Sequence, residues 1–155
     1  MTGHKDGQFT GGCQCGAIRY ELSSAPDHVS VCHCRMCQKA SGGPMMAFAR
    51  VKKSNLRWTR GQPSSFRSST LVERHFCGAC GTPLTYDLIE SPNISVTVGS
   101  LDEPGAARPV LQYSVERTLP RLPTISGLPG KRTEEFMTSD LAARFVSYQH
   151  PDHDT

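Results

Sequence analysis

The sequence predicts a mainly β domain of short antiparallel strands, and three observations carry that reading. Apolar and polar residues alternate in brief blocks: Ile18, Tyr20 and Leu22; Val29 and Val31; Ile94, Val96 and Val98; Leu111, Tyr113 and Val115. Fourteen glycines and 11 prolines supply the many tight connections that such a fold needs. Helical periodicity is confined to one stretch near the C-terminus, where Met137, Leu141 and Phe145 lie four residues apart.

The elements follow in chain order. After the strands at Ile18–Leu22 and Val29–Val31, the runs Met45–Val51, Asn55–Trp58 and Leu71–Phe76 are further strand candidates. Gly42-Gly43-Pro44, Gly61-Gln62-Pro63 and the segment from Gly78 to Pro83 separate them and read as turns. Leu119 to Gly130 holds three prolines and two glycines, which predicts irregular chain packed over the sheets. Beyond it Ala142 and Val146 share nearly the face of Leu141 and Phe145, with Ser139 placed as a cap. One short C-terminal helix is expected there, then a frayed polar tail. The chain has 155 residues, the size of one domain, expected over residues 9–130 with the helix and tail over 131–155.

Charge narrows the function. Seventeen Lys and Arg against 14 Asp and Glu give +3, spread along the chain, which argues against a nucleic-acid or membrane partner. The longest apolar run, Met45 to Ala49, is too short for a transmembrane helix. The first residues, MTGHKDGQFTGG, lack the apolar core of a signal peptide, so a cytoplasmic protein is expected. In a reducing compartment seven cysteines in one small domain point to metal rather than disulfides.

The cysteines form three local groups: Cys13 and Cys15; Cys32, Cys34 and Cys37; Cys77 and Cys80. Cys77 and Cys80 have the spacing of a zinc knuckle, with Gly78 and Gly81 permitting a tight turn. Cys13 and Cys15, two apart, project to one side of an extended segment. Together the two pairs suit a closed structural zinc; a redox dithiol is the alternative, without the βαβ context it needs. The remaining Cys32, Cys34 and Cys37 are one ligand short of a closed site. Zinc held by three protein ligands keeps a position for substrate. The alternatives are a second closed site completed by His33, His75 or another side chain, or three ordinary thiols. Three thiolates on Zn²⁺ leave a charge of −1, so the ion is a weak Lewis acid and water activation is disfavoured. A substrate thiol, bound as its thiolate, fits such a soft site.

The chain resembles the glutathione-dependent formaldehyde-activating enzyme family, which also contains the centromere protein V domain. The resemblance rests on Gly11-Gly-Cys-Gln-Cys-Gly-Ala-Ile-Arg-Tyr20, Cys32-His-Cys-Arg-Met-Cys-Gln-Lys-Ala-Ser-Gly42, Glu73-Arg-His-Phe-Cys-Gly-Ala-Cys-Gly-Thr-Pro-Leu84, Val98-Gly-Ser-Leu-Asp102 and Gly127-Leu-Pro129. It implies a tent-like coiled β-sandwich, with Cys13, Cys15, Cys77 and Cys80 around a structural zinc. It further implies that Cys32, Cys34 and Cys37 hold a second zinc near which glutathione binds. The family reaction joins glutathione to formaldehyde as S-hydroxymethylglutathione, a carbon–sulfur lyase reaction when written backwards. Two departures fall in the C-terminal segment: Pro120-Arg121 stands where the family has Pro-Trp, and Ser126 stands where an Asp precedes Gly-Leu-Pro.

These readings combine into a two-zinc carbon–sulfur lyase-type enzyme. Its catalytic cysteines are Cys32, Cys34 and Cys37, and its partners are glutathione or a related thiol and a small aldehyde. Arg35, Lys39 and Arg74 could meet substrate carboxylates or be plain surface charges. No general base is needed once zinc has removed the thiol proton. The competing class is a non-catalytic zinc module that carries a thiol or mediates protein contacts, and a thiol redox protein is a third.

Overall fold

The computed structural model describes residues 9–153. Within it the alternation of the sequence becomes ten short strands: β1 Phe9–Gly12, β2 Arg19–Leu22, β3 His28–Cys32, β4 Met46–Lys52, β5 Leu56–Arg60, β6 Ser64–Arg67, β7 Val72–Phe76, β8 Pro83–Leu88, β9 Asn93–Thr97 and β10 Leu111–Tyr113. They form a three-stranded sheet, β1-β2-β5, and a seven-stranded sheet, β10-β3-β4-β9-β8-β7-β6. All pairs are antiparallel except the parallel pair of β10 and β3. The expected mainly β class is what forms.

Register decides which face of the large sheet each side chain takes. Cys32 stands opposite Met46, Ser30 opposite Phe48, and Phe48 opposite Thr97. Tyr86 stands between Ser95 and Arg74. Directly paired residues share a face, so Cys32, Met46, Phe48, Tyr86 and Arg74 line one side. Ala49, Val51, Ile94 and Val96 take the other, where they form the main core with Tyr20 and Leu22 of the small sheet.

One irregularity adjusts this pattern. His75 pairs with Thr85 and Phe76 with Pro83, leaving Leu84 as the extra residue of a β-bulge. Leu84 is fully buried in the main core, while Tyr86 packs in the separate cluster of Cys37, Met46 and Phe48. The bulge also explains why β8 lacks a readable alternation in the sequence. Strands β1 and β6 are likewise unheralded. All four residues of β6 are exposed, so no apolar period marks them.

The small sheet is locked to the loop after β9 by polar contacts inside the core. Tyr20 Oη and Ser100 Oγ lie 2.8 Å apart, and Ser100 Oγ donates to the Thr97 carbonyl at 2.9 Å. A Cβ on Gly11 would stand 2.4 Å from both Tyr20 Oη and the Ser100 carbonyl oxygen, so only glycine permits this approach. Beside it Arg19, 2% exposed, donates to both Asp102 oxygens at 2.8 and 2.5 Å. Burial alone would raise the Asp102 carboxyl, but Arg19 and the Thr10 hydroxyl hold it below its ordinary range.

The C-terminal third departs from expectation. Leu119 to Gly130 is exposed almost throughout and contains a 3-10 helix over Leu122–Gly127, so it does not pack over the sheets. Two short helices stand in place of one, α2 Thr133–Phe136 and α3 Ser139–Arg144 (a helix α1 lies earlier, Arg35–Ser41). The cap of α3 is Thr138 rather than Ser139, its hydroxyl accepting from the Leu141 amide. The expected frayed tail returns to the first cysteine loop, where the His150 amide donates to the Gln14 carbonyl at 2.7 Å. Among the described residues no helix is long and apolar enough to cross a membrane.

Arg19 is a buried cation whose carboxylate partner lies 83 residues away. Asp102→Asn is expected to cost about 3–5 kcal/mol of unfolding free energy, because it takes a carboxylate away from a buried guanidinium. Urea unfolding at neutral pH checks this, and a loss under about 1 kcal/mol contradicts the role given to the pair.

Candidate metal centres

Two loops bring the first group together. Cys13 and Cys15 lie between β1 and β2 of the small sheet, and Cys77 and Cys80 between β7 and β8 of the large sheet. The first segment is a turn, not the extended chain expected from its spacing: the Cys13 amide donates to the Ile18 carbonyl, and the Gly16 amide to the Cys13 carbonyl. The second loop has the same device, with the Gly81 amide donating to the Cys77 carbonyl at 2.8 Å. Gly16 and Gly81 both take positive φ, 77° and 78°, which a side chain would resist. Thr82 joins the loops by accepting from the Gln14 amide at 3.0 Å.

All four sulfurs lie within 4.8 Å of one another. Cys13 and Cys15 are 3.6 Å apart, Cys15 and Cys77 3.8 Å. Four thiolates at about 2.3 Å from a tetrahedral ion stand about 3.8 Å apart, so the donor set fits one. Burial pushes the Cys80 thiol up, but the Thr82 hydroxyl and amide, together with the Cys15 amide and thiol, bring it down to about 6. At Cys15 a backbone hydrogen bond from Ala17 favours the thiolate, yet burial and sharing with Cys13, Cys80 and Cys77 push it up to about 12.

The second group is built at the end of β3. Cys32 closes the strand, Cys34 caps α1, and Cys37 follows in the first helical turn. The helix was not legible in the sequence, because its seven residues bury only Cys37 and Gln38. The turn folds the sulfurs of Cys34 and Cys37 to one side, with the Cys37 amide donating to Cys34 Sγ at 3.4 Å. All three sulfurs lie within 4.8 Å of one another, and among the described residues no fourth His, Cys, Asp or Glu joins them. The two histidines that could have closed the group are engaged elsewhere. His33 Nε2 lies 2.8 Å from Gln112 Oε1, and His75 Nδ1 lies 2.7 Å from Thr85 Oγ1 on the core face of the sheet.

Cys32 and Cys34 are half-buried, whereas Cys37 is buried against Met46 and Phe48. Burial pushes the Cys37 thiol up to about 12, against the pull of Arg74. For Cys34 burial acts in the same sense but is outweighed by the Cys37 and Met36 amides and the other two thiols, so its pKa is lowered. Tyr86 closes the wall, its ring 5.6 Å from that of Phe48, and its burial raises the phenol, which stays neutral.

The basic residues divide. Arg35 and Lys39 are exposed on α1, as surface charges or substrate contacts would be. Arg74 is 8% exposed and turned inward to Cys37, so it is not a surface arginine. Arg121 and Ser126, where the family pattern is broken, are both exposed. Sequence reasoning missed Tyr86, whose only signal was its place opposite Arg74 across a hairpin. It also missed Gln38, which ties α1 to the His33 and Arg117 carbonyls at 2.8 and 3.2 Å. A polar cleft of about 250 Å³ lies beside the four-cysteine group rather than the three-cysteine group, lined by Cys13, Arg19, Ser100, Asp102 and His150.

Comparison with known proteins gives three findings. The sequence profile described as glutathione-dependent formaldehyde-activating enzyme matches residues 8–117. An uncharacterized lyase of Schizosaccharomyces pombe is 30% identical over 86 residues, 56% of this chain and 62% of that protein, so the chain spans less than two thirds of its length. A Rhodobacter sphaeroides protein of known crystal structure superposes with a TM-score of 0.54 at 24% identity, over 66% of this chain and 98% of that one. That likeness concerns the fold alone.

Proposed function

We propose a function that proceeds from one fact: the chain belongs to the glutathione-dependent formaldehyde-activating enzyme family. It is a carbon–sulfur lyase-type enzyme that forms or cleaves the adduct of glutathione, or a related small thiol, with formaldehyde or another small aldehyde. The observation that carries this reading is the group of Cys32, Cys34 and Cys37, three converging sulfurs with no fourth protein ligand among the described residues. Cys13, Cys15, Cys77 and Cys80 would hold a structural zinc, and the three-cysteine group a second.

A zinc ion at that second group supplies a positive centre that favours the thiolate form of a thiol entering its fourth position. The protein does the rest. Cys32, Cys34 and Cys37 fix where the thiol sulfur sits, and the buried wall of Met46 and Phe48 keeps water from one side. The bond formed joins that sulfur to the aldehyde carbon, and the aldehyde oxygen takes up the proton the thiol has lost. The reverse reaction breaks the same bond and returns the proton to sulfur.

The two groups should differ in their coupling to folding. Cys80→Ser is expected to lose several kcal/mol and give unfolded or insoluble protein, whereas Cys34→Ser stays folded and loses about one equivalent of zinc. Circular dichroism with metal analysis checks this, and the opposite pattern reverses the assignment.

Coordination of the thiol is testable directly. In the cobalt-substituted protein glutathione should change the sulfur-to-metal charge-transfer absorption, while S-methylglutathione, which cannot become an anion, binds at least about tenfold more weakly. Equal affinity with no spectral change leaves a non-catalytic zinc module as the better account.

A further inference from the structure

Two arginines are buried among the described residues, and they differ in their counter-charge. Arg19 is paired with Asp102. Among the described residues Arg74 meets no carboxylate: its Nε donates to Ser68 Oγ at 3.3 Å, Nη1 lies 3.9 Å from Met46 Sδ, and Nη2 lies 3.4 Å from Cys37 Sγ. Its guanidinium also stands 5.0 Å from the centre of the Tyr86 ring. A buried cation needs a negative partner, and the groups facing this one that could carry negative charge are the Cys37 sulfur and, behind it, those of Cys32 and Cys34.

We propose that Arg74 is the counter-ion of the three-cysteine centre and that its charge sets the preference of the fourth position for an anionic ligand. This rests on the reading of that group as a metal site. Three thiolates around a divalent ion carry −1, and Arg74 brings the assembly to zero. An entering thiolate then raises the total to −1 instead of −2, whereas a neutral ligand gains nothing from the arginine. The side chain is suited to the task because a guanidinium stays charged when buried and can stack on Tyr86 while donating to sulfur. Arg74 touches the ligand of the metal, not the substrate, and so acts as a positioning residue.

The test compares two probes on the cobalt-substituted protein: 2-mercaptoethanol, which binds as an anion, and imidazole, which binds neutral. Arg74→Met is expected to weaken 2-mercaptoethanol about tenfold while imidazole changes less than about twofold, and Arg74→Lys should restore most of the difference. Chelator competition should also show faster loss of the three-cysteine metal from Arg74→Met. Ser68→Asp provides a second route that leaves the arginine in place: a carboxylate at Nε draws its charge away, and the same selective loss of 2-mercaptoethanol follows. Parallel weakening of both probes, or no change in their ratio in either variant, overturns the counter-ion role. A wild-type protein that binds a single metal, or shows no response to 2-mercaptoethanol, instead overturns the reading of the site on which this role rests.

Discussion

The convergence of four sulfurs from two sheets is the constraint on which the rest of the structure depends. Cys13 and Cys15 belong to a turn of the three-stranded sheet, Cys77 and Cys80 to a turn of the seven-stranded sheet, and all four meet within 4.8 Å. An ion at that point would cross-link the sheets on one side of the core that Tyr20, Leu22, Leu84 and Val96 fill. Structural zinc is worth about 10–16 kcal/mol in small domains, as much as the whole stability of an ordinary one. The loops are shaped for the meeting by their own hydrogen bonds and by glycines at positive φ.

The strand that leads into this quartet also serves the other centre. In β7 Arg74 points to the face of Cys32, Met46 and Phe48, His75 points to the core, and Cys77 follows directly after the strand. One hairpin therefore sets the position of the buried arginine against Cys37 and delivers two sulfurs to the first group. Residue alternation places neighbouring side chains of this strand on opposite faces, so Arg74 meets one centre while the end of the same strand leads into the loop of the other.

Charge follows the same division. On the core side Arg19 is neutralised by a carboxylate and contributes to a rigid joint with the loop after β9. On the other side Arg74 faces sulfur, a softer and more polarisable partner. A carboxylate there would cancel the arginine whether or not metal and ligand were present; a thiolate partner couples the arginine to the state of the centre. The open sides of Cys32 and Cys34, half-buried, leave the approach from solvent that a substrate thiol requires.

By itself the sequence determined the β class, most strand positions, the grouping of the cysteines and the three that remain when two pairs are taken from seven. These are local properties: alternation, turn residues and short ligand spacings are written within a few positions of one another. Tertiary structure alone decided that His75 stays away from the three-cysteine group, that Arg74 is buried beside Cys37 and that Tyr86 stacks on it. It also decided that the segment from Leu119 to Gly130 lies exposed. The reason is register. Which residues face one another across β7, β8, β9, β4 and β3 is set by pairing over long sequence separations and, at Leu84, by one bulge, and a shift of one residue would send Arg74 to the opposite face.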